Sequence, residues 1–413
     1  MSTSARSPWV ILVAACVVLM VSTGLRNSFG VFFKSVADEF GWERATLSLV
    51  VSLNMLVFGF SQPLVGRLVD RWGPRRVLAL GALVLGGGFG AASLTRNLLE
   101  TYLAYGVVAG LGFGATAITV ASALITRWFD RNRGLALGIA AAGLSAGQIV
   151  VVPLSTGLLG RVGWREGFLV MGLGTAVLLT LVVLPMVQDQ PAAAPVPTAG
   201  RGRALARHEV APGAAMRTLP FWQLTAAFFG CGFAITLLST HFIPFATDVG
   251  LSRSEGGRLF GAMGAMSIVG SLTTGWISDR LGRRWLLASV YLLRSLVLLL
   301  LVRAQTVTDL WVFAVVFGFT WAAPFPLTSA FIGDLWGKNA IATIFGTMFF
   351  IHLVGDAAGA YVGGLVFDRA ASYTPVFAVA AVMAMLGGLS VLSIRAGMSE
   401  PAIVSREAAA AGR

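Results

Sequence analysis

The chain has 413 residues, 56% of them hydrophobic and only 12% charged, with 50 glycines and a formal net charge of +12. A soluble domain carries about 25% charged residues, so this composition argues against an ordinary water-soluble enzyme or binding module. The basic excess would suggest nucleic acid in a soluble protein, but here Lys and Arg sit in short loops between apolar runs, so membrane topology accounts for them and no nucleic-acid partner is expected.

In chain order, the first apolar run, at about 9–33, follows Arg6 in the manner of a signal peptide. It continues without a small-residue cleavage site and reads as a retained first helix. Runs long enough to cross a bilayer, roughly 20 residues each, recur at about 46–69, 77–94, 102–125, 135–159 and 167–187. Six more follow at about 219–246, 256–278, 285–303, 310–333, 340–367 and 374–394. The expected fold class is an all-α membrane protein with twelve transmembrane helices in two pseudo-symmetric six-helix bundles. The stretch PAAAPVPTAGRGRALARHE is rich in Pro, Ala and Arg without helical periodicity and reads as a flexible linker. The chain thus divides into an N-terminal half (1–187), a cytoplasmic linker (188–217), a C-terminal half (218–397) and a short Ala-rich cytoplasmic tail (398–413). Cys16 and Cys231 both lie inside apolar runs, which argues against a structural disulfide.

The two halves repeat. Gly66–Arg76, GRLVDRWGPRR, and Gly275–Arg284, GWISDRLGRR, are charged turns between apolar runs, 209 positions apart. Gly41 and Arg44 map onto Gly250 and Arg253 at the same offset, and Trp128 and Gly138 onto Trp336 and Gly346 at 208. Several anchors at one offset mark an internal duplication. With both termini on one side, that side carries nineteen Lys and Arg against nine opposite. The richer side should be cytoplasmic, which implies a multi-pass protein of the cell inner membrane with both ends inside.

Two six-helix halves, a central linker and paired G-x-x-x-D-R-x-G turns resemble the major facilitator superfamily of secondary transporters across essentially the whole chain. Gly24–Trp42 (GLRNSFGVFFKSVADEFGW) resembles the first-helix signature of bacterial monocarboxylate-porter-like and oxalate:formate-exchanger-like members, and Arg127–Pro153 resembles their fifth-helix signature. His241–Gly250 and Thr320–Gly364 resemble a bacterial branch of the same group. The resemblance implies alternating access by rocking of the halves, with the turns acting as cytoplasmic latches. Asp70, Arg71 and Arg75, with Asp279 and Arg280, are the candidate gating residues; the alternative is that these charges only set topology. An Asp there suits the positive end of a helix dipole, and Arg71, Arg75 and Arg76, with Arg280, Arg283 and Arg284, can latch to carboxylates or carbonyls across the cytoplasmic face. Glycines at Gly106–Gly114, Gly134–Gly147 and Gly355–Gly364 recur at small-xxx-small spacing, which reads as close helix packing.

Ionisable residues inside spans are functional candidates because burial in hydrocarbon is costly. Arg26 in span one offers a bidentate cation for a carboxylate, and by resemblance that span lines the central cavity; the alternative is a structural ion pair or a snorkelled side chain. His352 and Asp356 are spaced i, i+4 on one helix face and are the candidate proton-handling pair. Their alternative is a satisfied pair holding span eleven to a neighbour. By resemblance, His352 falls where the oxalate:formate exchanger carries a lysine. Arg294 lies in span nine, which is peripheral by resemblance, so structural pairing is favoured there, and His241 is a candidate periplasmic gate. Asn54, Gln62, Thr116, Thr119, Gln148, Trp321 and Phe325 are candidate solute contacts. The segment Trp321-Ala-Ala-Pro324-Phe-Pro326 should break its helix, because two prolines remove backbone donors. The chain departs from the monocarboxylate-porter pattern in span eight, where Ser271 and Ser267 replace the usual carboxylate-anchoring Arg and its polar neighbour.

The expected function is secondary active transport of a small organic solute, a carboxylate first of all, coupled to protons as a symporter. The alternative is a proton-driven exporter of a drug-like or toxic solute, although span five lacks the GPxxGG-like pattern of drug:proton antiporters. A sensor or scaffold would need an added domain. Nothing in the sequence has the spacing of a metal site, a phosphate loop or a catalytic triad, so no enzyme activity and no cofactor are expected. The expected partners are the solute, protons and membrane lipids around a monomer.

Overall fold

The computed structural model describes residues 7–42, 44–129, 132–189, 210–304, 306–338 and 341–394; most of the linker, 190–209, and the tail from 395 lie outside the described residues. Among the described residues the regular structure is helical throughout. We label the spans α1 (Pro8–Phe40), α2 (Arg44–Trp72), α3 (Pro74–Ser93) and α4 (Leu98–Trp128). A continuous run, Arg133–Met186, turns at Gly163, whose φ of 80° no ordinary helix accommodates, and so supplies α5 (133–162) and α6 (164–186). The second six are α7 (Leu219–Asp248), α8 (Arg253–Leu281), α9 (Arg283–Val302), α10 (Val307–Trp336), α11 (Ile341–Ala370) and α12 (Thr374–Ser393). Among the described residues eleven helical runs are long and apolar enough to cross a membrane, and division of the fifth at Gly163 gives twelve.

The chain separates into two compact units: Met1–Asp130 with Ile139–Ala199, and Arg131–Gly138 with Gly200–Arg413. The first turns of α5 thus group with the second unit, not with the helix they begin.

Within the first unit, α1 and α5 touch backbone to backbone. A side chain at Gly143 would meet the Cys16 carbonyl, one at Gly147 the Met20 carbonyl, and one at Gly24 the side chain of Val151. Lipid is as apolar as the helices, so close packing rather than hydrophobic drive must hold such pairs together. Phe29, Phe89, Tyr105 and Phe168 fill the space between α1, α3, α4 and α6; Phe29 and Tyr105 have ring centroids 4.1 Å apart. The α4 helix is interrupted at Thr116–Ala117, where Ala117 is extended at φ −78°, ψ 172°. Its neighbours Gly110, Gly112 and Gly114 make that the weakest stretch of the span.

At one end of this unit Glu39 clamps α1 to the α5–α6 turn. Its carboxylate accepts from Trp164 Nε1 at 2.5 Å and from Arg165 Nε and Nη2 at 2.9 and 2.8 Å. Arg165 also donates to the carbonyls of Ser93 and Thr95 at 2.9 and 2.8 Å. Burial pushes the Glu39 carboxyl up, but the Arg165 and Trp164 hydrogen bonds and the Arg165 charge outweigh it and hold it below the ordinary glutamate range. A carboxylate with a lowered native pKa stabilises above the unfolded value and loses that contribution as pH falls through the native one. Glu39→Gln should therefore cost about 0.2–1 kcal/mol near neutrality, as exposed ion pairs do. Thermal unfolding of the two proteins should converge below about pH 4.

In the second unit α7 pairs with α11, α9 with α12, and α8 with α10. The α7–α11 contact repeats the α1–α5 device: side chains at Gly232, Gly355 and Gly359 would strike the carbonyls of His352, Phe229 and Phe233. The expected packing role of the span-eleven glycines is therefore seen directly. Phe242, Phe313, Phe317 and Phe377 build the core beside it.

Candidate functional site

The double proline in α10 has a chemical consequence. Pro324 cannot donate to the carbonyl of Thr320, nor Pro326 to that of Ala322, so the helix ends at Trp321 and restarts at Pro324. The orphaned group is taken up from α9. Arg294, fully buried, donates through Nη2 to the Thr320 carbonyl and, at 3.2 Å, to that of Trp321. Its Nε lies 3.3 Å from the Thr320 hydroxyl, and its guanidinium stands 5.3 Å from the Phe317 ring. A cation at the carboxyl end of a helix segment also meets the favourable end of the dipole. The expected break is present, and the residue that stabilises it is one that sequence reasoning placed at the periphery.

The remaining Arg294 nitrogen, Nη1, is 2.8 Å from the Cys231 sulfur on α7. Cys231 also interacts with the His352 ring, so the thiol bridges a guanidinium and an imidazole. His352 is buried and stacks on Phe228 at 4.4 Å, with Phe349 at 5.6 Å and the edge of Phe325 at 5.1 Å. Its Nδ1 is 2.8 Å from the Phe228 carbonyl, which can only accept, so Nδ1 carries a hydrogen. Nε2 then faces Asp356 Oδ1 at 3.8 Å. That spacing is too long for a hydrogen bond, so charge holds the pair when the imidazole is protonated. Asp356 is anchored by the Thr236 hydroxyl at 2.7 Å. Its side chain is 24% accessible against 2% for His352, which makes Asp356 the more open end of the pair.

The expected i, i+4 pair is thus assembled, and two of its neighbours, Cys231 and Arg294, were not read as part of it. No linear motif marks them, because they come from α7 and α9. Trp321 lies half-buried at the break, its ring edge-on to Phe260 and Phe317. His241, higher on α7, is 2.9 Å from the Ala360 carbonyl and 3.3 Å from the Tyr373 hydroxyl, tying α7 to α11 and to the start of α12.

In the first unit Arg26 is half-buried with its guanidinium 5.0 Å from the Phe58 ring. Asn54 donates to the Tyr105 carbonyl at 2.7 Å, and the Tyr105 hydroxyl feels the Arg26 charge, so these groups share one locality. Thr116 pairs with Ser22 at 2.8 Å, one turn before Arg26, and Thr119 donates to Gln62 at 2.8 Å. Asn54, Gln62, Thr116 and Thr119 are buried and engaged with protein partners, whereas Gln148 is exposed.

The second copy of the charged turn forms a network within the second unit. Asp279 accepts from the backbone N–H groups of Gly134 and Leu135 at 2.8 and 3.0 Å, capping the first turn of α5. Arg283 bonds Asp279 at 3.1 Å and Asp334 at 2.5 Å, and Arg133 reaches Asp334 at 2.6 Å. The carboxylate at a helix amino end is as expected; of the three candidate arginines of this turn Arg283 is the one bonded to Asp279, while Arg280 lies over the Trp276 ring at 3.6 Å. Arg133 and Asp334 were missed, since neither belongs to the repeated motif. In the first copy Asp70 is half-buried, Arg71 and Arg75 are exposed, and the Arg75 backbone N–H is capped by Asp189 at 3.0 Å.

A model of the Major Facilitator Superfamily matches residues 14–351 and 224–410. The uncharacterized MFS-type transporter YcxA of Bacillus subtilis is 31% identical over 94% of this chain and 95% of its own length. Monocarboxylate transporter 13 of Rattus norvegicus is 28% identical over 92% of this chain and 87% of its own. Among solved structures, the E. coli fucose:proton symporter superposes with a TM-score of 0.73, covering 94% of this chain and 98% of that one at 16% identity, a likeness of fold alone. Twelve apolar helices, a duplicated charged turn and a family model that spans both halves agree: the chain belongs to the Major Facilitator Superfamily, and it is a multi-pass membrane transporter rather than an enzyme.

Proposed function

We propose that the protein carries a small organic solute, a carboxylate first of all, across the inner membrane by proton-coupled, rocker-switch alternating access, with both termini cytoplasmic. The observation that carries this reading is the His352–Asp356 pair: a buried imidazole stacked on Phe228 stands 3.8 Å from a more accessible carboxylate, within ion-pair reach. Ionisable groups at membrane depth are expensive to keep without such a use. Arg26 is the proposed anchor for the solute's carboxylate, with Asn54 and Thr116 beside it, and Trp321, Gln148 and His352 as further contacts. The similarity to a monocarboxylate transporter supports the same solute class. Asp279 and Arg283, with Arg133 and Asp334, act as the gating latch, Asp70, Arg71 and Arg75 as its counterpart, and His241 as a gate at the other face.

The test is thermal unfolding of purified protein against acetate, lactate, oxalate and a neutral sugar at two pH values. A small carboxylate should raise the midpoint in the wild type and lose its effect in Arg26→Ala. The aromatic collar of Phe228, Phe325, Phe345 and Phe349 favours a second reading, export of a drug-like solute. Stabilisation by an aromatic compound that persists in Arg26→Ala, with none from the anions, would select it.

A further inference from the structure

The break in α10 and the proton pair on α11 are joined by two side chains, and that connection suggests a task for both. The guanidinium of Arg294 has two claims on it. On one side are the Thr320 and Trp321 carbonyls, left open by the break; on the other is the Cys231 sulfur, which also contacts His352. We propose that Arg294 and Cys231 are positioning residues that transmit the proton occupancy of His352–Asp356 to the break in α10, and so set where Trp321 stands. This rests on the pair being the proton site of the transport cycle.

The physical argument is electrostatic. With the proton present, the imidazole side of Cys231 carries compensated charge and Arg294 keeps its hold on the helix end. With the proton gone, Asp356 is an anion beside a neutral ring, and the pull on Arg294 through Cys231 grows in a medium of low dielectric. Every unit of grip shifted from the carbonyls loosens the Thr320 carbonyl, to which Pro324 cannot donate.

The titratable and polar groups placed around the pair come from several helices. On α7, the ionisable residues are Cys231, His241 and Asp248, with Thr236 bonded to Asp356; His241 is engaged at Ala360 and Tyr373. On α10, Phe325 faces His352, and Asp334 is held by Arg133 and Arg283. The helix α12 has no ionisable residue, and the short turn Pro212–Ala215 has none. Behind Cys231, α9 supplies Arg294 and, one turn earlier, the buried Tyr291.

Hydrogen–deuterium exchange of the full chain in detergent tests this without a solute. After correction for intrinsic rates, amides at Trp321, Ala322, Ala323 and Phe325 should change protection between about pH 5 and about pH 8, where histidine titrates. Loss of a hydrogen bond to a charged donor corresponds to roughly a tenfold change or more. Asp356→Asn and His352→Gln should remove the pH dependence. So should Cys231→Ala, which leaves Arg294 on its carbonyls and keeps the test available if Arg294→Met fails to fold. Wild-type protection that is flat with pH, or a pH response that survives in Cys231→Ala, would overturn the proposal even where transport remains proton-driven. A response present in wild type and lost in Cys231→Ala, with transport indifferent to a pH gradient, would keep the relay and overturn the coupling reading instead.

Discussion

Asp356→Asn is expected to abolish accumulation of solute against a concentration gradient while leaving exchange of solute for solute in place. Asn is isosteric and can still accept the Thr236 hydroxyl, so the packing of α11 on α7 survives. It cannot take up or release a proton, and the oxygen that accepts from Thr236 is the atom that faces His352 Nε2, so no charge remains there to pair with a protonated imidazole. One pH unit is worth about 1.4 kcal/mol, or tenfold accumulation for each proton carried. The wild type in proteoliposomes should therefore concentrate solute roughly tenfold per unit of imposed gradient, and the variant should only equilibrate it. Accumulation retained in Asp356→Asn would remove the pair from the coupling mechanism.

The second large effect is expected at the latch. A Cβ at Gly275 would press on the Gly134 carbonyl and Leu135 Cα, and one at Gly138 on the Ser271 carbonyl. Backbone atoms cannot rotate aside as a side-chain tip can. Gly275→Val should push α8 away from the first turn of α5 and withdraw Asp279 from the two N–H groups that it caps. Overpacking and loss of charge-assisted hydrogen bonds together suggest a cost on the order of 3 kcal/mol, and transport should fall with it. Gly264, on the same helix, faces open space, so Gly264→Ala is the control and should be neutral or slightly stabilising. Equal unfolding midpoints for Gly275→Val and Gly264→Ala would show that this contact does not hold the network together.

Much of the architecture was legible because the bilayer imposes length and polarity on every span. Twelve apolar runs, the duplicated turn and the double proline of α10 are local or periodic features, and the helices follow them to within a few residues, except that Gly163 joins two spans into one run. The glycine spacings also marked α11 for close packing, without naming α7 as its partner. The break in α4 was readable only in part: it lacks a proline, and three nearby glycines weaken the helix without saying where it yields.

Side-chain partnerships between helices were beyond the reach of the sequence. His352 and Asp356 could be paired because one helix turn sets their separation, yet the thiol and guanidinium beside them arrive from α7 and α9, more than fifty positions away in the chain. The same holds for Arg133 and Asp334, and for which of the three arginines of the second turn meets Asp279. Composition and periodicity determined the membrane, the number of spans and the duplication, since these follow from what each residue costs in lipid. Tertiary packing alone decided which buried charges meet, because that depends on helix rotation and depth, which no spacing along a single helix encodes.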